Sequence, residues 1–332
     1  MERIGVLGAG TWGMALARVL ANAGHEVTVW SALDKEVEEY SATRVHPNLP
    51  GMTIPETIVF TKQMETVCQD KTILLFAVPS VFVRATAKKA APYVKDRQII
   101  VDVAKGIEPN TLYTMTQIIE EEIGNPAVKL VALSGPTHAE EVARDLPTTI
   151  VAACQDLEAA ERVQSLFADT CMRVYTNDDV LGVELCGAMK NVMALAAGIS
   201  AGLGYGDNAK AAIITRGIAE IARLGMAYGC KRATFAGLTG VGDLIVTATS
   251  MHSRNNRCGM LLGQGVDPQE AIRQVGMVVE GINALPAAMQ LKEKYQVDMP
   301  IAEAVNAVVN EGASPKEQVY QLMHREQKPE TK

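Results

Sequence analysis

The chain of 332 residues is short of positive charge, of paired cysteines and of long uninterrupted apolar runs. Each shortage removes a class of function. Lysine and arginine number 31 against 38 aspartates and glutamates, for a net charge of −7. That balance argues against a nucleic-acid binder, while leaving room for a local basic pocket that takes a small anion. The six cysteines are Cys68, Cys154, Cys171, Cys186, Cys230 and Cys258. None makes a CxxC, and their spacing suits neither a metal site nor a disulfide framework. Several lie in apolar runs and read as small buried side chains in a reducing compartment, so a cytoplasmic location and no metal are expected. No uncharged apolar run reaches roughly 18 residues without several glycines, so no membrane span is expected. A strand is entered by Ile4, which leaves no room for a signal peptide. There is no internal repeat. The polar tail from Arg325 is expected to fray.

What is present centres on residues 184–198. They read as a helix that is apolar almost all round, with Lys190 in its middle. Cys186, Met189, Val192, Met193 and Leu195 surround that lysine, and Asn191 stands beside it. A helix of this kind is buried. A buried ammonium needs a partner, or its pKa falls. The lysine can also snorkel to the surface or pair with a carboxylate. The many small residues, among them Gly182, Gly187, Ala188 and Gly198, let other backbone or a ligand come close.

At the start of the chain, residues 3–7 form a short apolar run. The turn Gly8-Ala-Gly-Thr-Trp-Gly13 follows at once. Residues 14–22 have helical period, and residues 26–30 read as a second strand. This is GxGxxG in its required setting of strand, turn and helix. The glycines allow a tight turn and close approach of a pyrophosphate to the helix N-terminus. The end of the second strand should hold an acid for a ribose 2′-hydroxyl, or a cation for a 2′-phosphate. It holds Ser31 and Ala32, with Asp34 and Lys35 further on, so the choice between NAD and NADP stays open.

Strand-like runs continue at residues 57–60, 72–78, 98–104, 128–134, 148–154 and 173–176. Helical segments at 80–91, 110–122 and 157–168 lie between most of them. The alternation implies a Rossmann-like doubly wound, mostly parallel sheet, in which ligands sit beyond the carboxyl ends of the strands. Lys105 directly after a strand is placed to meet an anion or a carbonyl oxygen, and Ser134-Gly-Pro marks another such end. From Asp178 onward the pattern is helical, with Asn177 or Asp178 as the opening cap. The expected organisation is a dinucleotide-binding domain over 1–182 and an all-α substrate domain over 183–332. Two loops of the helical half carry chemistry. Gly237-Leu-Thr-Gly-Val-Gly-Asp243 ends in a carboxylate. His252-Ser-Arg-Asn255 opens a helix with Ser253 as N-cap, and Arg254 with Asn255 offers a guanidinium fork, an amide and a helix dipole to a phosphate.

With these pieces in order, residues 3 to 322 resemble the NAD(P)-dependent glycerol-3-phosphate dehydrogenases of the bacterial and soluble type. The matching motifs include Gly8–Gly13, Val78-Pro-Ser80, Lys105-Gly-Ile107, Leu133-Ser-Gly-Pro-Thr137, Gly187-Ala-Met-Lys-Asn191, Gly240-Val-Gly-Asp-Leu244, Ser253-Arg-Asn255 and Val279-Glu-Gly281. The resemblance implies reversible hydride transfer between sn-glycerol 3-phosphate and a nicotinamide, supplying glycerol 3-phosphate for phospholipid synthesis. It implies Lys190 as general acid/base, with Lys105, Asp243 and Thr247 in the catalytic group. It implies a phosphorylated substrate held by Lys105, Gly135, Thr137, Lys190, Asp243, Ser253, Arg254 and Asn255. The implied cofactor contacts are Gly8, Gly10, Thr11, Trp12, Gly13, Lys105, Ala139, Arg254, Val278 and Glu280, and the resemblance is compatible with a homodimer.

Two departures stand out. Members of this family often carry arginine shortly after the position of Trp30; with Ser31 and Ala32 there, cofactor use is expected to be loose or to lean toward NAD. His46 stands where many bacterial members have asparagine and is expected to be a surface loop residue without a role. Two alternatives remain. A two-domain dehydrogenase of a 3-hydroxy acid would also use a lysine on such a helix. A dinucleotide sensor would bind cofactor without turnover, though a sensor needs no proton donor.

Overall fold

A computed structural model describes residues 1–327, 329 and 330. Of the polar tail, Lys328, Thr331 and Lys332 lie outside the described residues. Arg325 is tied down rather than frayed, since its Nη2 donates to both carboxyl oxygens of Asp298 at 2.9 Å.

The strands are β1 (Arg3–Leu7), β2 (Glu26–Trp30), β3 (Val59–Thr61), β4 (Ile73–Phe76), β5 (Ile99–Asp102), β6 (Lys129–Ser134), β7 (Thr148–Ala153) and β8 (Met172–Asn177). They form one sheet in the order β3-β2-β1-β4-β5-β6-β7-β8. Every neighbouring pair is parallel except β6 with β7. The connections carry α1 (Thr11–Asn22), α2 (Asp34–Thr43), α3 (Met64–Cys68), α4 (Val83–Ala90), α5 (Met115–Ile123), α6 (Ala139–Val142) and α7 (Leu157–Ser165). Side chains alternate between the two faces, as the strand period requires. Ile73, Leu75, Ile99 and Val101 join one buried cluster, and Leu74, Phe76 and Ile100 join another. Strands buried on both faces give unbroken apolar runs. The chain order reverses between β1 and β4, and the crevice at that point is where such sheets take a ligand.

The helix expected at 110–122 starts only at Met115. Asn110 and Leu112 adopt positive φ of 72° and 60°, which no helix accepts. Thr114 then opens α5 as one half of a capping box with Gln117.

The chain divides into two compact units, Met1–Gly187 with Ala233–Asp243, and Ala188–Arg232 with Leu244–Lys332. The cut falls inside α8 (Val180–Gly202). Neither Asn177 nor Asp178 caps this helix; Asp179 does, its Oδ1 accepting the Gly182 N–H at 3.1 Å. Asn177 instead accepts the Asp179 N–H at 2.8 Å and so shapes the turn before the cap. By length and composition α8 could cross a membrane, but 89% of its apolar window is buried inside the fold. It is a core helix that also holds Glu184 and Lys190.

The second unit holds no strand among the described residues. Its helices are α9 (Asp207–Tyr228), α12 (Arg254–Gly263), α13 (Pro268–Val275), α14 (Glu280–Tyr295), α15 (Pro300–Asn310) and α16 (Pro315–Met323), while α10 (Arg232–Phe235) and α11 (Asp243–Thr249) straddle the cut. What approaches the small residues of α8 here is backbone. A Cβ on Gly198 would lie 2.1 Å from the Asn256 carbonyl, and one on Gly259 would lie 2.2 Å from the Leu195 carbonyl. Helices α8 and α12 therefore touch main chain to main chain, which fixes α12 and the residues at its start.

Candidate active site

The glycine-rich turn joins β1 to α1. Gly8 has φ of +122°, and a Cβ there would sit 2.7 Å from the Ala77 carbonyl. A Cβ on Gly13 would lie 2.3 Å from the Gly8 carbonyl. Gly10 differs: it is the N-cap of α1, no side chain caps it, and a Cβ there would meet nothing within 4 Å. The first turn of α1 contains no acid. Tight backbone beneath, open space above and uncompensated N–H groups suit the pyrophosphate of a dinucleotide. Thr11 and Trp12 flank the opening half-buried.

In the first unit, Lys105, Gly135, Thr137 and Asp243 come together. Lys105 Nζ pairs with Asp243 Oδ2 at 2.6 Å and donates to the Gly135 carbonyl at 3.0 Å and to Thr137 Oγ1 at 3.5 Å. The Asp243 side chain is 0% exposed and that of Lys105 is 16% exposed. Asp243 is delivered by a π-helical turn, Leu238–Gly242. That turn depends on Gly240, where a Cβ would stand 2.0 Å from the Phe235 carbonyl. A Cβ on Gly187 of α8 would lie 3.2 Å from Ser134 Oγ and 3.4 Å from the Cγ of the same lysine. The small residue at 187 thus makes room for a side chain of the site. Ala139 is buried at the start of α6.

In the second unit, Lys190 is 5% exposed, and its Nζ donates to Thr247 Oγ1 at 2.6 Å. Asn191 Oδ1 accepts from Asn255 Nδ2 at 2.9 Å, and Asn255 Oδ1 accepts the Gly281 N–H at 2.8 Å. Asn255 therefore links α8, α12 and α14 and braces the helix that carries Lys190. Ser253 is the N-cap of α12, its Oγ accepting the Asn256 N–H at 3.2 Å. Arg254, half-buried, is the first residue of that helix. Glu280 opens α14, with Val278 two residues before it.

Several residues went unrecognised in the sequence. His46 is no surface residue: it is 1% exposed and packs on Tyr40 at 5.1 Å between ring centroids. Its Nδ1 accepts the Asn48 N–H at 3.2 Å, so Nε2 carries the proton of the neutral ring. Burial holds the imidazole pKa down. Glu184 is buried and accepts from Thr114 Oγ1 at 2.8 Å, Thr116 N at 2.8 Å and Thr116 Oγ1 at 2.5 Å. Its carboxyl is pushed up by burial and drawn back by those bonds. A cavity of about 580 Å³ opens beside it, lined by Thr114, Glu120, Lys129 and Asp156 among others, but by none of the Lys105 group.

Asp102 ends β5 three residues before Lys105. It is 2% exposed, and neither carboxyl oxygen makes a hydrogen bond of normal geometry. Burial, then the charge of Glu184, raises its pKa well above the ordinary range, with the Ala104 N–H as the smaller opposing influence. An unfolded aspartate has lost its proton above ~pH 4. Folded Asp102 keeps it, so the folded state binds more protons. The sign follows: this group's contribution to stability falls as pH rises from ~4 to the folded pKa, by up to about 1.4 kcal/mol per pH unit. Asp102→Asn keeps the shape and removes the titration. Its stability relative to wild type should rise as the pH is raised above about 4, read by urea unfolding. A difference that stays flat would mean that Asp102 is ionised in the fold.

A doubly wound sheet with this glycine-rich turn, followed by a helical unit with a buried lysine, defines the class of two-domain nicotinamide-dependent dehydrogenases. The profile of the NAD-dependent glycerol-3-phosphate dehydrogenase N-terminus matches residues 3–160, and that of the C-terminus matches residues 179–320. A glycerol-3-phosphate dehydrogenase (NAD(P)+) 2 from Lactobacillus delbrueckii subsp. bulgaricus is 64% identical over 99% of both chains. A glycerol-3-phosphate dehydrogenase (NAD(P)+) from Agathobacter rectalis is 54% identical over 99% of this chain and 98% of that one. The crystal structure of glycerol-3-phosphate dehydrogenase from Coxiella burnetii superposes with a TM-score of 0.93 at 36% identity, covering 98% of this chain and 99% of that one. The chain belongs to the NAD-dependent glycerol-3-phosphate dehydrogenase family. That membership favours this family over a 3-hydroxy-acid dehydrogenase.

Proposed function

We propose that the chain interconverts sn-glycerol 3-phosphate and dihydroxyacetone phosphate with NAD or NADP, and that it supplies glycerol 3-phosphate for phospholipid synthesis. The observation that carries this reading is the buried Lys190 ammonium held on the Thr247 hydroxyl at 2.6 Å. A hydroxyl that accepts from Nζ orients the side chain, and a lysine so placed can give a proton to a forming alkoxide or take one back. When bound, the nicotinamide gives a hydride to C2 of the ketone or takes one from C2 of the alcohol. In the reducing direction Lys190 protonates the C2 oxygen; in the oxidising direction it accepts the hydroxyl proton. Lys105, neutralised in part by Asp243, meets a substrate oxygen by giving up its long 3.5 Å contact to Thr137. The Gly135 carbonyl holds that lysine in place. Arg254 at the head of α12 meets the phosphate.

A cytoplasmic location is part of the proposal, in keeping with six cysteines that are all unpaired. So is a homodimer, to be read by sedimentation of the purified chain. The function is tested by following NADH and NADPH oxidation with dihydroxyacetone phosphate and with 3-oxo acids. Turnover of the phosphorylated ketone alone supports the reading. Turnover of an oxo acid at equal or greater kcat/KM would refute it.

A further inference from the structure

The end of β2 lacks the acid that usually meets a cofactor ribose, but a carboxylate is delivered there from elsewhere. Ser31, 5% exposed, donates its Oγ proton to Glu36 Oε2 at 2.5 Å. Ser31 Oγ in turn accepts the Leu33 N–H at 3.1 Å, which sets the turn leading into α2. Glu36 lies in the first turn of α2, where the helix dipole favours an anion. Its half-buried carboxylate is thereby anchored to the strand end five residues back. That strand end adjoins the glycine-rich turn, since the Gly8 N–H donates to the Trp30 carbonyl at 2.9 Å. The charge of Glu36 also bears on His46, and His46 lies against the Ala9 carbonyl of the same turn.

We propose that Glu36, held by Ser31, sets the choice of cofactor: it accepts a hydrogen bond from the ribose 2′-hydroxyl of NAD(H) and repels the 2′-phosphate of NADP(H). The proposal rests on the dehydrogenase reading above and adds the residue that decides its cofactor. A groove of about 440 Å³ at this strand end is lined by Ser31, Ala32, Asp34, Lys62 and Lys89 among others; Glu36 is not in that lining and bears on it through its bond to Ser31. Lys62 is committed to Asp34 at 3.3 Å and Glu38 at 3.0 Å, so it offers little to a phosphate. Lys89, exposed, is the cation that could act the other way.

The test is titration of the purified protein with NADH and with NADPH, reading dissociation constants from nicotinamide fluorescence. Binding needs no turnover, so failure of the substrate assignment would leave this result readable. A hydrogen bond to a charged group corresponds to roughly ten- to a hundred-fold in affinity. Wild type should bind NADH more tightly than NADPH. Glu36→Gln should move the ratio of the two constants toward NADPH by about tenfold or more. Ser31→Ala, which only loosens the carboxylate, should move it the same way by less. Glu39→Gln, a neighbouring exposed acid on α2, should leave the ratio unchanged. A wild-type preference for NADPH that Lys89→Ala abolishes would overturn the proposal. So would equal weakening of both cofactors in Glu36→Gln and Ser31→Ala, since the pair would then only hold α2 in place.

Discussion

Lys190→Ala is expected to lower kcat by roughly 10²–10⁴-fold while leaving cofactor affinity unchanged, because general acid–base transfer is worth about that much. The lysine is 5% exposed on a core helix, and its Nζ bonds to Thr247. Burying an ammonium costs several kcal/mol unless it is compensated, at about the scale of a lost internal ion pair. Proton transfer is the role proposed for the lysine kept at this buried position. Lys190→Arg separates charge from chemistry. Arginine keeps the positive charge but does not release its proton near neutrality, so it should not restore kcat. Thr247→Ala tests the orientation: it should shift the pH profile of kcat more than it changes KM. Cofactor titration by fluorescence checks that each variant is folded. A kcat for Lys190→Ala within about threefold of wild type would sink the acid/base role, because that is far below the range for such a group.

How much of this was legible beforehand depended on whether the signal was local. Strands β4 and β5 are buried along their whole length, so each gave an apolar run that could be read without a partner. The turn from Gly8 to Gly13 was legible because its glycines answer to backbone geometry within a few residues. Lys190 stood out because a charge in an apolar period has no local explanation. What escaped notice depended on distant partners. The antiparallel setting of β7 follows from its pairing with β6, which composition does not encode. His46 looked like an ordinary loop residue, because its burial comes from Tyr40 and from the turn beside Ala9. Asp102 looked like punctuation at the end of a strand, whereas its missing hydrogen bonds are a tertiary fact. Glu36 was invisible for a geometric reason. A ribose-binding acid is expected at the strand end itself, whereas Glu36 comes from a helical turn that brings it back to the serine occupying that place.

Arg254→Ala should reduce kcat/KM for dihydroxyacetone phosphate by about 10²- to 10³-fold or more, from the roughly 2–5 kcal/mol lost when a buried charge loses its partner. Arg254 opens α12, whose N-cap Ser253 accepts the Asn256 N–H at 3.2 Å and so fixes where the helix begins. The adjoining Asn255 is locked to Asn191 and to the Gly281 N–H. Close contact between Gly198 and the Asn256 carbonyl holds the same segment against α8. The guanidinium thus stands on a rigid base beside the helix dipole, in a chain whose net charge is −7. A dianionic phosphate needs such a fixed cation, and the planar fork gives two parallel charge-assisted bonds. Lysine would return the charge without the fork, so Arg254→Lys should recover only part of the loss. The deciding comparison is with dihydroxyacetone, which has the ketone but no phosphate. Its already low kcat/KM should change little in Arg254→Ala, since there is no phosphate to lose. An equal fold-loss for both substrates would mean that Arg254 serves the fold or the cofactor rather than the phosphate.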